Sequence, residues 1–299
     1  MKQIVECVPN FSEGRRPEVI DQIIAAIESV AGVKVLDRSS DPDHNRTVIT
    51  FVGPPAVVGD AAFAAIARAA ELIDMDQQRG EHPRMGATDV VPFVPIAGVK
   101  MEDCVEIARQ VGARVGAELG IPVYLYEAAA TRPDRVNLGE LRPQSHQYEQ
   151  KKADVSRDEK WLPDFGPAKV GKAGVIAIGA RAPLIAYNVY LTTGDVKIAE
   201  KVAKAVRHSN GGLRFVKARG FLVDGKAQVS MNLTDFTQTP IHRVVEMIRR
   251  EAARYGVGVE RSELVGMIPQ QALIDAAVWY LQLDNFEPKL VIENRLGEI

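Results

Sequence analysis

Two periodicities alternate along this chain, and they do so in the same order twice. Runs of four to eight β-branched and aromatic residues mark strands, and apolar residues recurring every three or four positions mark helices. In the first half, residues 2–8 read as a strand. Val19, Ile20, Ile23, Ile24 and Ile27 then recur at helical spacing from Pro17, a residue suited to a first helical turn, to Gly32. Residues 34–36 and 46–52 read as paired strands around a polar turn at 39–45, followed by an alanine-rich helix from Pro54-Pro55 to Ile73. A buried strand at 90–94, an amphipathic helix at 101–119 and a strand at 123–126 complete this half. The second half has strands at 174–179 and 184–191, and a helix at 195–207 stopped near Asn210-Gly211-Gly212. A hairpin pairs 213–223 with 227–233 about Asp224-Gly225, a strong turn signal. A helix at 240–255, a short strand at 257–259 and a helix at 269–281 follow. Strand, helix, strand, strand, helix, strand is the split βαβ arrangement. The expected fold is therefore α/β (α+β): two similar subdomains, 1–178 and 179–299, each a mixed sheet of split βαβ (ferredoxin-like) order. Helices are expected on the outer face, with a ligand crevice between the subdomains. The irregular stretch 128–171, with a short helix near 147–154, is the expected crossing between them.

Composition narrows the function. A net charge of -2 over 299 residues leaves no basic field for nucleic acid or anionic lipid. Cys7 and Cys104 form no CxxC pair and sit in apolar segments, as small buried hydrophobes in a reducing compartment would. The N-terminus runs straight into a strand, without a signal peptide, so the expected location is cytoplasmic. The most apolar stretch, 173–191, is interrupted by Gly179, Arg181 and Pro183. An arginine at the centre of a membrane helix costs roughly 2.5–3.5 kcal/mol on insertion scales, so two strands joined by a bend fit better.

Residues 79–95 concentrate the chemistry. Arg79-Gly80-Glu81-His82-Pro83-Arg84-Met85-Gly86-Ala87-Thr88-Asp89 is polar and punctuated by glycine and proline, and an apolar run follows. Pro83 biases His82 toward extended geometry, and Gly86 provides a turn that other residues resist. A titratable imidazole is thus held on a stiff loop against a core strand, where chemistry is usually placed. A lone loop histidine is more often a surface residue, but none of His44, His146, His208 and His242 has such surroundings. Arg46 and Arg84 offer guanidinium forks suited to substrate carboxylates, with an internal ion pair as the plain alternative. P-loop, GxGxxG and GxSxG signatures are absent, and no histidine pair has metal-ligand spacing. Asp41, Asp43 and His44 form a polar turn in preference to a metal corner, and no metal is expected. The residues alone describe an enzyme that binds a small anionic substrate and moves protons with a histidine.

Several segments carry a resemblance: Val5-Glu6-Cys7-Val8-Pro9-Asn10-Phe11-Ser12-Glu13-Gly14, Asn45-Arg46-Thr47, Gly80-Glu81-His82-Pro83-Arg84-Met85-Gly86-Ala87, Asp164-Phe165-Gly166-Pro167, Leu184-Ile185-Ala186-Tyr187-Asn188-Val189, Val229-Ser230-Met231-Asn232-Leu233 and Ser262-Glu263-Leu264-Val265-Gly266. In order and over essentially the whole chain, they resemble the glutamate formimidoyltransferase (formiminotransferase) family. The resemblance implies transfer of a formimidoyl group between N-formimidoyl-L-glutamate and N5 of tetrahydrofolate, the co-substrate, in histidine breakdown. It implies His82 as the catalytic residue and a folate-binding segment at Pro163, Asp164, Phe165, Gly166, Pro167, Ala168 and Lys172. Asn10, Arg46, Arg84 and Gly86 complete the expected binding set. A carboxylate found in some relatives has no counterpart at Ser39, leaving Asp41 or Asp43 to assist His82. The resemblance also implies a homodimer and a separate cyclodeaminase acting on the product. Two alternatives stay open: formyl transfer from 5-formyltetrahydrofolate to glutamate, and folate binding without turnover.

Overall fold

The computed structural model describes residues 3–143 and 145–296, which divide into two compact units, 1–182 and 183–299. The first unit is built on a seven-stranded mixed sheet. Its strands and helices are β1 (Ile4–Cys7), β2 (Asn10–Phe11), α1 (Pro17–Glu28), β3 (Lys34–Asp41), β4 (Arg46–Gly53), α2 (Pro55–Leu72), β5 (Thr88–Ala97), α3 (Met101–Arg114), β6 (Val123–Glu127), α4 (Leu138–Leu141), α5 (Tyr148–Asp154) and β7 (Ile176–Ala180). β1 and β2 act as one broken strand, because both pair antiparallel with β4 on one side and β5 on the other. β3 flanks β4, and β7 lies parallel between β5 and β6. The apolar stripe of α1, Val19, Ile20, Ile23 and Ile27, is buried in the same core as Phe51, Phe93, Val111 and Ile178. Each such side chain contributes roughly 1.5–3 kcal/mol on full burial.

Three expectations change here. The polar segment 39–41 is strand, paired through Ser39, Ser40 and Asp41 to Val48, Thr47 and Arg46, so the turn begins only at Pro42. Its exposed edge position lets polar residues serve as strand. This unit also has more strands than a six-element split βαβ pattern. The stretch 128–171 packs within the first unit and does not cross between units. Arg142 bonds Asp89 of β5, the Tyr148 amide donates to the Arg84 carbonyl at 3.0 Å, and the Val123 amide donates to the Phe165 carbonyl at 2.9 Å.

The second unit comprises β8 (Ile185–Leu191), α6 (Val196–Val206), β9 (Val216–Val223), β10 (Lys226–Leu233), α7 (Ile241–Ala253), β11 (Val259–Val265), α8 (Gln270–Leu281) and a short α9 (Ile292–Leu296). Its four strands are all antiparallel, in the order β11-β8-β10-β9. Asp195 caps α6 by accepting from the Lys197 amide at 2.9 Å, a contact worth about 1 kcal/mol. Val202, Val206, Val244 and Ile248 bury against Val189, Val229 and Leu233. The hairpin turns at Asp224 and Gly225, both with positive φ, as a type I′ connection needs. The expected strand at 257–259 is longer and later, because β11 is almost wholly exposed and carries no apolar run to betray it. The two strands within 173–191 belong to different sheets.

Candidate active site

Three segments far apart in sequence meet around His82. The broken strand β1–β2 brings Asn10, the start of β4 brings Arg46, and the start of β5 brings Asp89. Asn45, a non-glycine residue with positive φ, ties them together. Its side chain accepts from the Gly14 amide at 2.9 Å and donates to the Arg79 carbonyl at 2.8 Å. Ser12 donates its hydroxyl to the Gly86 carbonyl at 2.7 Å. The chain is also drawn too close for side chains. A Cβ on Gly80 would lie 2.2 Å from the His44 carbonyl oxygen, and one on Gly86 would lie 2.1 Å from that of Val175. Gly86 is therefore required by close packing and not, as the sequence suggests, by an unusual turn.

Within this frame His82 is half-buried. Its Nδ1 lies 2.7 Å from the Pro83 carbonyl oxygen and 3.1 Å from Nη1 of Arg46. The carbonyl can only accept, so the shorter contact assigns the proton to Nδ1 and leaves Nε2 with a free lone pair. Burial, then the cations Arg46 and Arg142, push His82 down from the ordinary imidazole value to about 3. The ring is consequently neutral throughout the physiological range. The His44 ring meets it edge-on at 6.0 Å, and Asp41 holds His44 at 2.6 Å. Of the two carboxylates left open to assist His82, Asp41 thus connects to it through His44.

Arg46 donates Nε and Nη2 to the Asn10 side-chain oxygen at 3.1 and 2.8 Å, and Nη1 to Asp89 at 2.8 Å. Asp89 is completely buried and is the hub of the group. One oxygen accepts from the Met85 amide at 2.9 Å, and the other accepts from both Arg46 and Arg142. Burial acts to raise the Asp89 pKa, but Arg142 and Arg46 outweigh it and hold the group down at about 2. A fully ionised carboxylate between two guanidiniums fixes the arginine nearest the imidazole.

The other expected binding residues lie in different surroundings. Arg84 is buried and paired through all three nitrogens: it grips Glu149 with two of them, at 2.7 and 3.1 Å, and the Gln78 carbonyl at 3.0 and 3.2 Å. Asp164 accepts from the Leu125 amide at 2.8 Å, from Arg135 at 2.5 Å and from Thr131. It fastens its own segment to β6. Phe165 packs against the first core, and Gly166 adopts positive φ where a Cβ would strike the Ile121 carbonyl. Pro163 is partly buried, while Pro167, Ala168 and Lys172 are exposed. The Lys172 carbonyl accepts from the Met75 amide at 2.8 Å. Among the described residues no cluster of three or more His, Cys, Asp or Glu could hold a metal ion, and no helix is long and apolar enough to cross a membrane.

Sequence reasoning missed Asp89, Arg142 and His44. Asp89 had a signal, as the lone carboxylate entering an apolar strand seven residues after His82. Arg142 had none, because it lies in an irregular segment 53 residues from the group it joins.

Comparison with known proteins completes the picture. The family model described as "Formiminotransferase domain, N-terminal subdomain" matches residues 4–181, and the one described as "Formiminotransferase domain" matches residues 186–295. The chain is 56% identical to a glutamate formimidoyltransferase of Thermoplasma acidophilum, over 98% of this chain and 97% of that protein. It is 48% identical to a glutamate formimidoyltransferase of Streptococcus pyogenes, over 99% of each. It is 43% identical to the formimidoyltransferase-cyclodeaminase of Mus musculus over 99% of this chain, but the match spans only 57% of that longer protein. With both family models matched in order and such identity over nearly its full length, the chain belongs to the formiminotransferase family.

Proposed function

We propose that the chain is a group transferase that moves a formimidoyl group between N-formimidoyl-L-glutamate and N5 of tetrahydrofolate. The observation that carries the reading is the 56% identity to a glutamate formimidoyltransferase over almost the whole of both chains. The His82 group supplies a physical route. N5 attacks the amidine carbon, giving a tetrahedral intermediate with a proton on N5. That proton passes to Nε2 of His82, and the resulting imidazolium returns it to the glutamate nitrogen as the carbon–nitrogen bond breaks. The base must be neutral and must present Nε2, which is what the bond from Nδ1 to the Pro83 carbonyl arranges. Such proton transfer typically contributes about 10²–10⁴-fold, and holding two substrates together supplies much of the remainder. The depressed basicity of the ring has a consequence. Anionic substrate beside the arginines offsets their field, so the imidazolium forms more readily in the complex than in the free protein.

In this reading tetrahydrofolate contacts the segment containing Pro163, Asp164, Phe165, Gly166, Pro167, Ala168 and Lys172, with Asp164 positioning the segment. Asn10 and Arg46 hold His82 in place. The protein works as a homodimer in the cytoplasm, and a separate cyclodeaminase acts on its product.

The deciding experiment incubates the protein with tetrahydrofolate and either N-formimidoyl- or N-formyl-L-glutamate, and follows both products. Transfer from the formimidoyl donor alone is expected. Transfer from the formyl donor alone, or from neither, would overturn the assignment.

A further inference from the structure

The two arginines that the sequence offers for substrate carboxylates have little left to give. Arg84 spends Nε, Nη1 and Nη2 on Glu149 and the Gln78 carbonyl. Arg46 spends Nε and Nη2 on Asn10 and Nη1 on Asp89, with His82 beside it. Arg142 differs. It follows directly on α4, and its amide donates to the Leu138 carbonyl at 2.8 Å, which fixes its backbone. Its side chain is 14% exposed, and among the described residues its one side-chain bond is from Nη1 to Asp89. Among the described residues Nε and Nη2 have no partner. They are one edge of a planar fork that matches a carboxylate in two parallel hydrogen bonds. That edge belongs to the residue that shares Asp89 with Arg46, the neighbour of the His82 ring.

We propose that Arg142 binds a carboxylate of the glutamate substrate through its Nε and Nη2, while Asp89 holds its Nη1 and so aims the fork. This rests on the function proposed above and names a binding residue for it. Asp89 then has two duties. It fixes Arg46 against the imidazole, and it presents Arg142 to the substrate. Binding at Arg142 also places a negative charge near His82, in the sense that favours a proton on the ring.

The test compares Arg142→Met and Arg142→Lys with the unaltered protein on three donors. These are N-formimidoyl-L-glutamate, N-formimidoyl-4-aminobutyrate, which lacks the α-carboxylate, and N-formimidoyl-2-aminobutyrate, which lacks the side-chain carboxylate. Arg142→Met should raise KM for the full donor about 10- to 100-fold, the range for a charged hydrogen-bonded contact, with a smaller change in kcat. On the analogue lacking the contacted carboxylate the variant should lose nothing further. Arg142→Lys keeps a cation beside Asp89 without the fork. It should match the unaltered protein in Tm and fall between the two in KM. Equal losses on all three donors would overturn the proposal and leave Arg142 a support for Asp89. Calorimetry with L-glutamate reads the same site without turnover. Binding weakened at least tenfold in Arg142→Met supports the proposal even if no donor is turned over, which would then count against the reaction and not against the site. Unchanged glutamate affinity in Arg142→Met, or no glutamate binding by the unaltered protein, overturns it.

Discussion

The two units treat buried charge in opposite ways. Among the described residues the first buries Glu13, Arg84, Asp89, Arg135 and Lys151, whereas the buried polar residues of the second are Gln228, Thr239 and His242. Each contains a residue stacked on tryptophan that shows the contrast at close range. In the second unit it is His242, lying over Trp279 at 5.0 Å, whose pKa burial lowers. In the first it is Lys151, with its ammonium 3.5 Å above Trp161 and no hydrogen-bond partner among the described residues. Desolvation draws that ammonium down to about 7. Burying a charge costs several kcal/mol unless pairing offsets it, so a fold keeps such groups where they serve a purpose. The difference teaches where the chemistry sits. In the first unit the densest pairing of such charges is around Asp89, the buried carboxylate that pairs two arginines beside an imidazole.

The comparison is broken most severely at its centre. His82→Ala should lower kcat about 10²–10⁴-fold with little change in thermal stability, because a half-buried ring on a loop contributes little to the core. Steady-state kinetics with a melting curve check this, and near-normal turnover would remove the imidazole from the reaction. Next in size, Asp89→Ala strands two arginines without their shared partner. It should destabilise the protein by about 3–5 kcal/mol in denaturant titrations, the range for breaking a buried ion pair. A loss below about 1 kcal/mol would show that the pairs are solvated. Smallest is Lys151→Met, which swaps an unpartnered ammonium for an apolar chain of similar length. It should raise Tm by about 2–4 °C, corresponding to roughly 1 kcal/mol.

Acidification sharpens the contrast further. The folded His82 has a pKa near 3 against 6.5 for the free side chain, and the folded Asp89 a pKa near 2 against 3.8. In both windows the unfolded chain binds protons that the folded chain refuses. Stability from these residues is therefore complete above about pH 6.5 and declines as pH falls toward 2. His242 in the second unit acts in the same direction, but among the described residues no buried ion pair of that unit adds to it.

Much of this was legible in the sequence, for identifiable reasons. Where one face is buried, periodicity speaks: α1, α7 and the hairpin of β9 with β10 lie close to where their apolar spacing put them. Where an edge strand is exposed, as in β11 and the end of β3, no apolar run exists and the strand is invisible. His82 was legible because proline and glycine stiffen its loop. Its weak basicity was not, since that depends first on burial in the folded chain and then on Arg46 and Arg142 arriving from 36 and 60 positions away. Nor could spacing show that Arg84 is already paired, because Glu149 comes from α5, within a stretch that reads as irregular.

The central claim is that the structure keeps His82 neutral, with its proton on Nδ1, by burial and two paired arginines. Nitrogen NMR of the protein labelled at its histidine rings reads this directly as pH is lowered. His82 should retain a protonated Nδ1 and an unprotonated Nε2 down to about pH 5, below the titration of a free imidazole. A ring that instead titrates near pH 6.5, or carries its neutral-state proton on Nε2, would contradict the account.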